Sequence, residues 1–92
     1  MPFYEPTEKM LAEIQEHLKE LTAILKGKQG LDKDDLFCDN QEFMRIMNIS
    51  KRTAQSWRDA GFIGYSQLNN KIYYRIKDIQ ELLNENYNPK KK

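Results

Sequence analysis

A chain of 92 residues with 39% hydrophobic and 11% aromatic content has the makeup of one small folded domain with a thin core. One cysteine, Cys38, and one histidine, His17, exclude an internal disulfide framework and a Cys/His metal cluster. Net charge is only +1, but residues 1–50 carry −4, residues 51–77 carry +5 and residues 78–92 balance, and a basic block inside a folded segment is what a polyanion binder shows.

Cys38 is expected to act as a small apolar group and His17 as a solvated helix position. No apolar run approaches the roughly 20 residues that span a bilayer, and no signal-peptide pattern opens the sequence. A cytoplasmic protein without a membrane partner is therefore expected.

The first predicted element is a helix within residues 1–28, started by Pro6 and Thr7 with Glu8 in its first turn. Leu11, Ile14, Leu18, Leu21 and Leu25 follow at spacings of three, four, three and four, an amphipathic heptad stripe. Lys26 and Lys28, with Gly27 and Gly30, close the helix. The stripe has two ways to be buried: against a second copy, as a coiled-coil homo-oligomer with a dimer favoured, or against the chain's own domain. Its strict seam and charged flanks favour self-association. Residues 29–36, polar and acidic, read as a linker.

Residues 37–88 form the next unit. Asp39 stands three residues before Glu42 and ahead of Phe43, Met44, Ile46 and Met47, the pattern of a capped helix start. About two turns later comes Asn48–Ile49–Ser50, in which Asn48 tolerates a left-handed backbone, Ile49 plugs the helix angle and Ser50 caps a helix from Lys51 to about Ala60. Gly61 stops that helix. Two short helices joined by a three-residue turn are a helix-turn-helix.

On a helical wheel Thr53, Ala54, Trp57 and Ala60 share one arc, while Lys51, Arg52, Gln55, Ser56 and Asp59 share the other, with Arg58 at the border beside Lys51. Trp57 falls with Ala54, which assigns it to the core rather than to base stacking. The outward arc offers Arg52 and Gln55 for base edges, and Ser50 and Lys51, at the helix start, for phosphate.

The last predicted elements are a hairpin and a helix. Asn69 and Asn70 suit a two-residue turn that needs positive φ. Beyond it Ile72, Tyr74 and Ile76 alternate with Lys71, Tyr73 and Arg75, giving one apolar and one basic face. The outward side chains repeat every 6.6 Å or so, close to two phosphate steps along one strand. A final helix begins at Asp78, turns Ile79, Leu82 and Leu83 inward and stops before Pro89. Residues 89–92 are a basic tail.

These pieces give a fold that is mainly α with a small β-hairpin wing: a winged helix-turn-helix preceded by an N-terminal amphipathic helix. The stretches "MNISKRTAQSWRDAG", "YSQLNNKIYYR" and "DIQELL" resemble the MerR-like, excisionase-type winged helix-turn-helix family over about residues 37–87. Asn48 stands where relatives commonly have Gly, and Lys77 where a Ser often caps the last helix. The resemblance implies a small bacterial DNA-binding module, often carried by mobile elements. By that resemblance it is expected to act as a transcription regulator or as a recombination accessory factor. By the same resemblance the helix from Lys51 enters the major groove of double-stranded DNA and the Asn69–Lys71 tip lies along the adjacent backbone or minor groove.

The sequence reading thus assigns DNA contact to Ser50, Lys51, Arg52, Gln55, Ser56, Arg58, Asn69, Asn70, Lys71, Tyr73 and Arg75. A protein-interaction module that keeps the fold without DNA binding is the alternative. An enzyme is disfavoured by the lack of a phosphate loop, of paired carboxylates and of a nucleophile with a histidine partner, and no cofactor or metal is implied.

Overall fold

The computed structural model describes residues 8–86. The starting residues Pro6 and Thr7, Pro89 and the Lys90–Lys92 tail lie outside them. In chain order the elements are α1 (Glu8–Gln29), a 3-10 turn (Lys33–Asp35), β1 (Phe37–Asp39), α2 (Asn40–Met47), α3 (Lys51–Asp59), β2 (Ser66–Leu68), β3 (Lys71–Arg75) and α4 (Ile76–Glu85).

Local chemistry sets most of the boundaries. Helix α1 runs through Gly27 and breaks at Gly30, whose φ of +63° lets its N–H reach the Lys26 carbonyl at 3.1 Å. At the start of α2 the Asp39 Oδ1 accepts the Glu42 N–H at 2.8 Å. The Glu42 carboxylate is turned away from a reciprocal cap and instead holds Arg45 at 2.9 Å. Asn48 adopts the left-handed conformation, φ 55° and ψ 50°. Its N–H and that of Ile49 then fold back on the carbonyls of Arg45 and Met44, satisfying two orphan acceptors at the end of α2.

Ser50 Oγ accepts the Thr53 N–H at 3.1 Å and so starts α3. That helix ends in the same manner as α2: Gly61, at φ +76°, donates to Arg58, and Phe62 donates to Trp57. All these devices act within a few residues of the chain.

The sheet has three antiparallel strands in the order β1–β3–β2. The expected hairpin is β2–β3, with Leu68 opposite Lys71 across the two-residue loop Asn69–Asn70. Only Asn69 of that loop has positive φ, 57°. The third strand was not expected: Phe37, Cys38 and Asp39 pair with Arg75, Tyr74 and Tyr73. Strand β3 ends at Arg75, so Ile76 opens α4 two residues before the expected start at Asp78. No side chain caps α4; instead the Ile76 N–H donates to the Leu36 carbonyl at 2.9 Å.

One core joins all the helices to the inner face of the sheet. Phe43, Ile46, Tyr74 and Ile79 are sealed at its centre. Ile14, Leu18 and Leu21 of α1 lie in the same core, with Leu11 and Leu25 packed against its edge. Of the two ways to bury the stripe, this packing is the one against the chain's own domain. The leucine seam is covered by the chain's own domain, and Leu18 is only 2% exposed. A stripe that satisfies a coiled coil satisfies a domain face equally well, because both ask only for an apolar row at the helical period. Among the described residues no helix is long and apolar enough to cross a membrane.

Candidate nucleic-acid interface

Helix α3 is held by its inner arc. Ala54 is fully buried, and Trp57 packs edge-on against Phe43 with ring centroids 6.2 Å apart. Trp57 is therefore a core anchor, as its place on the wheel suggests. Ala60 departs from that arc, since it caps the helix end and is exposed.

The outer arc presents Lys51, Arg52, Gln55, Ser56 and Asp59 to solvent. The side chains of Lys51, Arg52 and Gln55 have no hydrogen-bond or ion-pair partner among the described residues. Three long polar groups thus stand unpaired on one face of one helix. Ser50 is differently placed: its hydroxyl is occupied by the cap and donates to Thr53 Oγ1 at 3.0 Å.

Arg58, at the border of the two arcs, is engaged within the fold. Its Nη1 donates to the Tyr74 hydroxyl at 2.6 Å and to Asn40 Oδ1 at 3.3 Å. The Tyr74 hydroxyl in turn donates to Asn40 Oδ1 at 2.8 Å. The guanidinium carbon also lies 5.8 Å from the centre of the Tyr65 ring, within cation–π range. A half-buried cation with three partners is a structural junction. It ties the end of α3 to the start of α2 and to the middle of β3. Tyr74 itself stacks on Phe43, centroids 4.1 Å apart. Burial raises its hydroxyl above the ordinary tyrosine value, and the Arg58 contact partly opposes that rise. This junction has no local sequence signal, because Asn40 lies 18 residues from Arg58 and 34 from Tyr74.

The wing follows its expected alternation. Tyr74 is buried and Ile72 half-buried on one face, and Lys71 and Arg75 are exposed on the other. Tyr73 shares the outer face but is half-buried, its ring edge-on to Phe37 at 5.7 Å. It therefore belongs as much to the β1–β3 contact as to solvent. Asn69 and Asn70 are exposed at the tip. Lys71 and Arg75 lack polar partners among the described residues. Lys51 and Arg52 on α3 and Lys71 and Arg75 on the outer sheet face thus form two exposed cationic groups, with the Arg58–Tyr74 contact between their elements.

Three exposed apolar side chains lie between α3 and β3 without having been singled out from the sequence: Phe62, Tyr65 and Leu68, at 55%, 46% and 68% exposure. Their three-residue spacing in a non-helical segment carries no pattern signal.

His17 is exposed on α1. The Cys38 thiol is buried and pushed up to about 12, chiefly by that burial and secondarily by the Asp39 and Glu42 carboxylates, so it is protonated and inert at neutral pH. No group of three or more metal-ligating side chains occurs among the described residues.

Comparison with known proteins agrees with this architecture. A helix-turn-helix domain family matches residues 37–87, more than half of the chain. No curated protein and no solved structure matches. The matched span begins at β1, contains the capped helix pair and the wing, and takes in all of α4. The chain belongs to the helix-turn-helix domain family, a family of small excisionase-like and MerR-like DNA-binding domains.

Proposed function

We propose that this chain binds duplex DNA sequence-specifically, as a transcription regulator or an excisionase-like recombination accessory factor. The observation that carries the reading is the outer arc of α3. Lys51, Arg52 and Gln55 stand unpaired on a helix whose opposite arc is locked into the core. Leaving such groups without internal partners costs little in water and keeps them available for base edges and phosphates.

In this reading α3 enters the major groove. Arg52 and Gln55 read bases, with Ser56 alongside them. Lys51 and the free N–H groups at the start of α3 meet phosphate, aided by the positive end of the helix. Lys71, Arg75 and the Asn69–Asn70 tip add contacts from the wing. Arg58 and Tyr73 act indirectly, by holding α3 and the sheet in place. Residues 8–29 contribute a supporting helix rather than a separate unit.

Selection of bound sequences from random duplexes tests the proposal. A defined motif is expected, with a log–log salt slope near −3.6 if about four phosphates are neutralised. Arg52→Ala should cost roughly 1–3 kcal/mol of discrimination at one position of the motif. A slope near zero, or no enrichment at low salt, refutes duplex recognition. The position of the motif, at promoters or at the ends of integrated elements, separates the two roles.

A further inference from the structure

We propose that Leu68 is an apolar wedge that the wing sets against a base step in the minor groove, so that the bound duplex is bent and an easily unstacked step is preferred there. The inference rests on the DNA-binding reading above and adds a residue and a mode of discrimination to it.

Leu68 is 68% exposed, the highest value among the exposed large apolar side chains. It is the last residue of β2, immediately before the Asn69–Asn70 loop. All three residues of β2 are exposed, so this end of the hairpin stands clear of the core. The neighbours of Leu68 along the chain and across the loop, Gln67, Asn69, Asn70 and Lys71, are all polar residues. With 68% of its surface in water, the side chain takes no part in the core.

The tip is also shaped for close approach. Asn69 turns the chain at φ 57°, and the Gln67 amide donates to the Asn69 carbonyl at 3.3 Å, which braces the turn. The side chains of the loop are short. Lys71, directly across from Leu68, shares its face of the sheet. The result is one apolar branch beside one cation at the end of a narrow hairpin. That chemistry suits a minor groove: the cation meets phosphate, and the leucine meets sugars and the edge of a base step. Apolar side chains placed this way unstack a step and kink the duplex by some 20–90°. Pyrimidine–purine steps yield most easily, so the wedge would select for them without a hydrogen bond.

The test uses the full chain, a duplex carrying the selected motif, end-label energy transfer for the bend, and a salt titration. Leu68→Ala is expected to weaken binding roughly tenfold through lost apolar burial. It should also straighten the duplex, flatten the preference for a flexible step at the wing side, and leave the salt slope and the melting temperature unchanged. Leu68→Met should keep the bend. Leu68→Lys should steepen the salt slope by about one unit while losing the bend. Affinity within twofold of wild type and an unchanged bend in Leu68→Ala overturn the wedge while duplex binding stands. A wild-type chain that binds no duplex overturns both. Leu68→Ala that converts a free dimer to a monomer assigns the side chain to a contact between copies and likewise overturns the wedge.

Discussion

The side-chain amide of Gln29 makes both hydrogen bonds that a neighbouring strand would give Phe37. Its Nε2 donates to the Phe37 carbonyl at 2.9 Å, and its Oε1 accepts the Phe37 N–H at 3.3 Å. Strand β1 is an edge of the sheet, and an edge with free main-chain groups invites unwanted pairing. Gln29 closes that edge and anchors the end of α1 to the sheet in one contact. Gln29→Ala is expected to destabilise the fold by about 1–2 kcal/mol, with amide exchange at Phe37 accelerating before that of the core. Exchange at Phe37 as slow as in wild type would show that the clamp is not what protects it.

The burial of the leucine seam predicts how its mutants fail. Leu18→Ala removes a sealed side chain from the core and should cost about 2–5 kcal/mol. Leu18→Lys should unfold the whole domain, because the charge would enter the same core as Phe43 and Ile79. Circular dichroism and sedimentation separate this from dissociation: a Leu18→Lys protein that is a well-folded monomer would contradict the inward packing.

Tyr74→Phe keeps the stack on Phe43 but removes the hydroxyl shared by Arg58 and Asn40. The expected loss is about 1–3 kcal/mol, since two half-buried polar groups lose a partner. Arg58→Ala should destabilise comparably, and the double variant should fall short of the sum because both changes break one network. Additive losses in urea denaturation would mean that the two side chains act separately.

Alkaline pH should weaken the fold through Cys38. Its thiol is raised from 9.0 to about 12 in the folded chain, so the folded state holds the proton more tightly than the unfolded one. The associated stability is intact below pH 9 and is lost as pH climbs towards 12, at roughly 1.4 kcal/mol per pH unit. Tyr74, raised from 10.0 chiefly by burial, acts in the same direction above pH 10. Cys38→Ala should show a shallower decline between pH 9 and 11 in denaturant titrations, and an equal decline would clear the thiol of any part in it.

Helix ends and faces were legible in the sequence where the cause is local. Asp39, Asn48, Ser50 and Gly61 each act on main-chain groups within a few residues, and each does what its residue type implies. The inward placement of Ala54 and Trp57 and the alternation along β3 follow from period alone. What escaped notice depends on distant partners. Strand β1 is three residues long, too short for a period to show, and exists because Phe37–Asp39 finds β3. The early start of α4 needs a carbonyl from Leu36. The contacts of Arg58 with Asn40 and Tyr74 join residues 18 and 16 apart in sequence, which no local pattern shows. The α1 stripe gave its own face correctly, but the identity of the surface opposite is not a property of the stripe.

The junction of Arg58, Tyr74 and Asn40 makes α3 and β3 turn as one piece. A single hydroxyl and a single guanidinium span the two elements at 2.6 Å, so neither can swing while the other stays. On a duplex held in the proposed manner, such a piece behaves as a caliper of fixed gap. One base pair added between the stretch under α3 and the stretch under the wing would carry the second contact about 3.4 Å along the axis and about 34–36° around it. The caliper has no slack to follow both displacements. It would reject a target whose bases are all correct but whose two parts are one step too far apart, and so would measure length along the DNA as well as reading its letters.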